Sequence, residues 1–155
     1  MSYRITGLDP TPFSHLWDAT NKELEAAGII RMQANASPGY PDRITLDDAA
    51  VGDAVLLLNH VSQAADTPYR ATHAIFVREG ADTAFDEIDA LPPAMARRPQ
   101  SLRAFGADGM MRTADIAEGR GVEALIARMF DDPMVDEIHA HNARQGCFMA
   151  RITRA

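Results

Sequence analysis

Long apolar runs and cysteines are both scarce in this 155-residue chain. The longest apolar run, Ala54–Leu58, is much shorter than the roughly 20 residues that span a bilayer. The N-terminus lacks the long apolar segment of a signal peptide. A single cysteine cannot form an intramolecular disulfide, which is typical of a reducing compartment. We therefore predict a soluble, cytoplasmic protein that does not associate with membranes.

Basic residues are outnumbered by acidic ones, and the common nucleotide and metal motifs are absent. The chain has 15 Lys and Arg against 22 Asp and Glu, which gives a net charge of −7. Because proteins that bind the phosphate backbone need a basic surface, nucleic acid is not an expected partner. No phosphate-binding loop, dinucleotide-binding glycine pattern, HExxH or CxxC motif is present. A local basic cluster can still bind a small anion.

The composition predicts one globular domain over residues 1–155. The hydrophobic fraction of 46% and the charged fraction of 24% are typical of folded domains, and a chain of this length can bury a substantial core. Proline and glycine are scattered rather than concentrated in a linker, so no domain boundary is indicated.

Apolar patterning predicts several strands. The segment Ala54–His60 is apolar without alternation, as expected for a central strand that is covered on both faces, and Ala74–Arg78 repeats this pattern. Asp108-Gly109 lies between strand-like runs at 101–106 and 110–116, which is the strongest local signal for a tight hairpin.

One long helix and several short ones are predicted. An apolar stripe with helical spacing runs from Val122 to Phe130. The spacing of Thr20 and Glu23 is that of a capping box, and residues 47–50 are expected to form one helical turn. Together these patterns indicate an α+β fold: a largely antiparallel, curved sheet, with a main helix at about 120–130 packed on it and short helices on the N-terminal side.

The most specific polar pattern is Ile138-His-Ala-His-Asn142, followed by Cys147. We interpret it as a β-hairpin with strands at 135–142 and 147–153. Residues i and i+2 of a strand point to the same face, so His139 and His141 are expected to project side by side. A loop of five residues would place His141 opposite Cys147, whereas a loop of four residues would place Asn142 there.

The chain resembles the uncharacterised family catalogued as domain of unknown function 1203. The segments that carry the resemblance span residues 38–147: Pro38-Gly-Tyr-Pro41 with Arg43, Val55–Leu58, Pro68-Tyr-Arg70, Ile75–Val77, Leu102-Arg103, and Ile138–Asn142 with Gly146-Cys147. The resemblance implies an identity but no activity. Many members carry a cysteine just before the position of Arg43, where this chain has Asp42, so two-cysteine chemistry is not expected.

The paired histidines allow a metal site. His139 and His141 could bind a divalent metal such as zinc if a third ligand joined them, with His60, His73 and Glu137 as candidates. Alternatively, both imidazoles simply form hydrogen bonds near a sheet edge.

The cysteine and the arginines allow two further kinds of chemistry. Cys147 is a candidate nucleophile if His141 lies beside it, although a free cysteine is more often a small packed side chain. Arginines in or beside the segments that resemble the family, above all Arg103 and Arg70, could hold a carboxylate or phosphate together with Asn142. A structural ion pair is the alternative role for Arg103.

We therefore predict a small-molecule site at the 139–147 hairpin, for an anionic ligand. His139, His141 and Cys147 are its predicted catalytic residues, and Asn142, Arg103 and Arg70 its predicted ligand-binding residues. The alternative is a non-catalytic interaction or structural module that self-associates through a sheet edge.

Overall fold

The computed structural model describes residues 1–155 and contains nine strands in two antiparallel sheets. The strands are β1 (Tyr3–Thr6), β2 (Ile30–Gln33), β3 (Ala54–Gln63), β4 (Ala71–Arg78), β5 (Asp86–Ile88), β6 (Gln100–Phe105), β7 (Met111–Ala117), β8 (Glu137–Asn142) and β9 (Phe148–Arg154). The larger sheet has the order β5-β1-β9-β8-β6-β7, and the smaller one has the order β2-β3-β4. We predicted one sheet, and this was wrong, because apolar patterning identifies a strand without specifying the sheet it joins.

Three α-helices accompany the sheets: α1 (Asn21–Ala26), α2 (Pro93–Ala96) and α3 (Gly121–Phe130), together with a 3-10 turn at Ser14–Leu16. The predicted capping box is confirmed, since the Thr20 side chain accepts from the backbone N–H of Glu23 and the Glu23 carboxylate accepts from that of Thr20. No helix of the structure combines the length and the apolar character that crossing a bilayer requires.

Helix α3 is the predicted main helix, and its whole apolar stripe is buried. The five stripe residues are all buried against the larger sheet: Val122, Leu125, Ile126, Met129 and Phe130. The sheet side of this core comes from alternate residues of β6, β8 and β9, such as Leu102, Ile138 and Ile152. The predicted hairpin at Asp108-Gly109 is confirmed by the pairing of β6 with β7.

The opposite face of β6 and β8 carries polar and aromatic side chains. Arg103 pairs with His139, Ser101 pairs with His141, and directly paired residues of neighbouring strands point to the same side. This surface, called the polar face below, approaches the smaller sheet. The ring of His73 on β4 contacts that of His141, with 4.8 Å between centroids, and the ring of His60 on β3 lies 5.7 Å from that of Phe148.

The predicted central strand is confirmed as β3, which lies between β2 and β4. Val55 and Leu56 are both completely buried and pack into different apolar clusters, so this part of β3 is covered on both faces. From Asn59 onward the strand is more exposed, and it reaches the polar face at His60.

The segment 47–50 is not helical, contrary to the prediction. Residues 40–42 and 47–49 instead pair as a short hairpin: the N–H of Asp42 donates to Asp47 O (2.9 Å) and that of Ala49 donates to Tyr40 O (2.9 Å). Leu46, with a φ of 53°, makes the turn between them. This hairpin matters for the site, because it places Arg43 beside the start of β9.

Candidate functional site

A cleft of about 430 Å³ lies between the short hairpin, β4 and the β8–β9 turn. Its polar lining comprises Arg43, Thr72, His73, Arg98, Asn142, Gln145 and Cys147. A smaller groove of about 230 Å³ adjoins it, shares Arg98, Asn142 and Gln145, and adds Arg97 and Arg144. None of the residues that line either depression is an aspartate or glutamate, although the protein carries a net charge of −7.

Arg43 forms the inner wall of the cleft and is only 1% exposed. Its guanidinium donates from Nε to Phe148 O (2.7 Å), from Nη1 to Pro41 O, and from Nη2 to the sulfur of Cys147 (3.1 Å). No partner is a carboxylate, and only three of its five N–H groups are used. Burial lowers the pKa of Arg43, while the neighbouring Cys147 and Asp42 counter this effect. Arg43 therefore carries its charge into the cleft without a carboxylate as a hydrogen-bond partner.

The β8–β9 turn has the shorter of the two predicted registers. The N–H of Asn142 donates to Cys147 O (2.9 Å), which leaves four residues, 143–146, in the loop. Asn142 is therefore opposite Cys147, and its Nδ2 lies 3.6 Å from the sulfur. A bulge follows, because Ala140 pairs with Ala150 whereas His141 pairs with Phe148. The alternative register, with His141 opposite Cys147, does not form, and the neighbours of the sulfur are Arg43 and Asn142.

Asp42, which immediately precedes Arg43, has a structural role. Its carboxylate is completely buried and accepts from the backbone N–H groups of Ile44, Thr45 and Arg78 and from the hydroxyl of Thr45, at 2.7–3.2 Å. These bonds fix the turn that presents Arg43 to the cleft.

Arg98 reaches the cleft from the end of α2 and is held by Asp48. The carboxylate of Asp48, 1% exposed, receives Nη1 of Arg98 at 3.0 Å, a shorter contact from Nη2, and Nη1 of Arg97 at 3.1 Å. Burial alone would raise the pKa of Asp48, but the hydrogen bonds and charge of Arg98 outweigh this and hold it below the usual value.

His139 and His141 lie side by side on the polar face, as predicted, but both are buried, at 3% and 2% exposure. Their ring centroids are 6.5 Å apart. Nδ1 of His141 is 3.0 Å from Gly146 O, so this nitrogen carries the proton and Nε2 has the free lone pair. Nε2 of His139 is 3.0 Å from the Glu137 carboxylate, and its Nδ1 is buried without a partner.

Three histidines between the sheets, His60, His73 and His141, have pKa values below the usual one. Burial, reinforced by the charge of Arg103, lowers the pKa of His141 to about 3. Burial also lowers the pKa of His73 and His60, with Arg103 and Arg43 acting in the same direction on His73, and His73 and Arg43 on His60. His73 contacts His141 and lines the cleft, so it connects the buried pair to the ligand space.

The two predicted ligand-binding arginines lie outside the cleft. Arg103 is half-buried on the polar face, where burial alone lowers its pKa. Arg70 is exposed, and its Nη1 donates to Ala64 O (2.5 Å). The adjacent Tyr69 packs edge-on against Phe105, 6.3 Å between centroids, so the loop covers the outer end of the polar face and not the cleft.

No group of three or more His, Cys, Asp or Glu side chains is arranged to hold a metal ion. His60 and His73 are opposite each other in the β3–β4 ladder, and Glu137 is already bonded to His139 and Arg151. The zinc hypothesis stays a prediction for which the structure arranges no third ligand.

A family model described as a protein of unknown function, DUF1203, matches residues 39–154. The chain belongs to this family. Searches of curated proteins and of solved structures each found no match. The matched region of this DUF1203 protein contains every residue of the cleft named above.

Sequence reasoning placed Asn142 and Cys147 at the site, but it favoured Arg103 and Arg70 over Arg43 and Arg98 as anion-binding arginines and considered His73 only as a metal ligand. The signal for Arg43 was its position directly after Asp42 in a segment rich in apolar and turn residues, Pro41-Asp-Arg-Ile44. A charged pair in such a segment suggests burial with specific partners. No local pattern predicts that Arg98 and His73 meet it, because they arrive from separate elements.

Proposed function

We propose that the protein binds a small anionic molecule in the cleft, with Arg43, Arg98 and Asn142 as its recognition groups. The observation that carries this proposal is the lining: four arginines from the cleft and its groove and no acidic residue. Arg43 is buried without a carboxylate partner, and the volume is in the range of small-molecule sites. A carboxylate or phosphate is the matching ligand chemistry.

A catalytic function would go further than binding, and in that case His73 is the best proton acceptor in the cleft. Because its pKa is lowered, the imidazole is neutral at pH 7 and can take a proton from a bound ligand. Ser62 fixes the ring through a 2.8 Å hydrogen bond to Nδ1. The ring of His141 packs against that of His73, so in this proposal His139 and His141 position His73 and do not contact the ligand. Cys147 lines the cleft and is the proposed nucleophile.

Citrate, which carries three carboxylates, is a suitable probe of the cleft. We expect isothermal titration to show binding, and we expect Arg98→Gln to weaken it at least tenfold, since one charge-assisted contact contributes roughly 1.4 kcal/mol or more. Arg128→Gln is the matched control, because Arg128 is exposed on α3 and pairs only with Asp115. Equal affinity in all three proteins, or no binding at all, would rule out the proposal.

Self-association is the second candidate, favoured by one observation. Strand β7 is an edge of the larger sheet, nearly all its residues are exposed, and Ile116 is 64% exposed. Such an edge can pair with a second copy. We expect a dimer in light scattering, converted to monomer by Ile116→Lys and unaffected by Val51→Lys, an equally exposed site outside the strands. A wild-type monomer at all concentrations would exclude this candidate.

A further inference from the structure

The sulfur of Cys147 lines the cleft and accepts hydrogen bonds from two side chains of the site. Nη2 of Arg43 lies 3.1 Å from it and Nδ2 of Asn142 lies 3.6 Å from it, so a guanidinium and an amide both donate to the same atom. Donation from a guanidinium stabilises the thiolate, the reactive form of cysteine. Cys147 is also partly exposed, which leaves the sulfur accessible from the cleft.

The burial of Arg43 bears on the same sulfur, although the buried carboxylate of Asp42 also acts on this guanidinium. A guanidinium that is 1% exposed has two carbonyls and one sulfur as its only protein partners. A thiolate at Cys147 compensates this charge directly. The remaining N–H groups of Arg43 are available to an entering anionic ligand, next to the sulfur.

The cleft selects the kind of electrophile that can reach the sulfur. Arg98 lines the cleft, and Arg97 and Arg144 line the groove that adjoins it. Arg144 is exposed and forms no ion pair. A volume of about 430 Å³ admits a molecule much larger than a peroxide. The fitting class is therefore a small organic electrophile that carries carboxylates.

We propose that Cys147 exchanges with small carboxylate-bearing disulfides and becomes the site of a mixed disulfide; this rests on the proposed anion-binding function of the cleft. The thiolate of Cys147 attacks one sulfur of the small disulfide, and the original S–S bond breaks as the new one forms. The departing half leaves with the electron pair as a thiolate and takes a proton from water. Cys147 is oxidised and the departing thiol is reduced.

The chain contains a single cysteine, so the adduct has no internal route of release. In a protein with a second thiol nearby, that thiol would attack the mixed disulfide and form an intramolecular bond. Here the adduct persists until an external thiol reverses it. The modification therefore occupies the anion cleft reversibly.

Intact-mass spectrometry of the full chain tests the proposal with two disulfides of opposite charge. The disulfide of 3-mercaptopropionate carries two carboxylates, and cystamine, which is of similar size, carries two ammonium groups. The rate of adduct formation is measured for each disulfide in native protein and in protein unfolded in urea. We expect the native-to-unfolded rate ratio to be at least tenfold higher for the dicarboxylate disulfide than for cystamine. Equal ratios, or a higher ratio for cystamine, would overturn the proposal.

Two substitutions identify the origin of the selectivity. Arg144→Gln, at the exposed mouth, is expected to reduce the selectivity at least threefold, and Arg128→Gln, which removes the same charge from α3, is expected to leave it unchanged. Equal selectivity in both variants would contradict the proposed entry path.

Cys147→Ser separates this proposal from the function on which it rests. The variant cannot form an adduct but keeps the cleft, so it is titrated with citrate. Citrate binding to the variant, together with absent selectivity in the wild type, would overturn the disulfide proposal alone. Absence of citrate binding to both proteins would overturn the proposed function as well.

Discussion

Acidification from pH 7 to pH 5 is expected to lower the free energy of unfolding by about 2 kcal/mol through His141 alone. The pKa of His141 is about 3 in the folded protein, and an unfolded histidine titrates near 6.5. Between pH 6.5 and pH 3 the unfolded state therefore binds a proton at His141 that the folded state does not bind, so the free energy of unfolding falls as pH falls. The stabilisation is complete above pH 6.5 and continues to decline toward pH 3.

The surroundings of His141 explain why its pKa is lowered, and two neighbouring histidines add to the expected pH dependence of stability. Burial is the largest cause of the lowered pKa of His141; the charge of Arg103 on β6, His73 on β4 and His139 on its own strand act in the same direction, and the Gly146 carbonyl opposes them. His73 and His60 also have lowered pKa values, so their contributions have the same sign.

Urea unfolding of wild type and His141→Gln at pH 7 and pH 5 measures the effect. The difference in stability between the two pH values should be smaller in the variant by about 2 kcal/mol. His15→Gln, which removes an exposed histidine far from the cluster, should keep the wild-type difference. An unchanged pH dependence in His141→Gln would show that His141 titrates normally.

Replacement of Arg43 by alanine is expected to destabilise the fold by about 3–5 kcal/mol. The substitution leaves the carbonyls of Pro41 and Phe148 buried without their donors, and each such group costs roughly 1–3 kcal/mol. It also leaves a cavity where a large, fully buried side chain was packed. The free energy of unfolding in urea is the direct measurement.

Two comparisons make the Arg43 prediction specific. Arg43→Lys keeps the charge but cannot serve three separated acceptors, so we expect an intermediate loss. Arg128→Ala removes an exposed, solvent-screened ion pair and should change stability by less than about 1 kcal/mol. A loss for Arg43→Ala no larger than that for Arg128→Ala would mean that the three bonds of Arg43 contribute nothing to the folded state.

Local patterns predicted the elements that depend on local physics. The α3 stripe, the Asp108-Gly109 hairpin and the Thr20–Glu23 capping box are all confirmed, because helical periodicity, turn conformation and capping involve residues only a few positions apart. The short strands β1 and β5 were missed, because they depend on pairing with residues far away in the sequence: β5 at the sheet edge pairs with β1, and β1 pairs with β9.

The site was only half predictable for a related reason. The alternation of β8 correctly placed His139 and His141 together, but alternation does not specify which sheet covers that face. The bulge at Met149 turns both Met149 and Ala150 into the core and Phe148 toward the histidines. A register shift of this kind determines which residues lie next to Cys147, and the spacing of the hairpin residues does not predict it.

The ion pair between Asp48 and Arg98 affects which anions can bind in the proposed site. An incoming anion must compete with a carboxylate that is already in place and tethered to the same chain. A ligand with one acidic group exchanges one contact for another and gains little. If the cleft binds an anion as proposed, a ligand whose two acidic groups reach Arg43 and Arg98 at once gains a second charge-assisted contact, so we expect polyvalent anions to bind more tightly than monovalent ones.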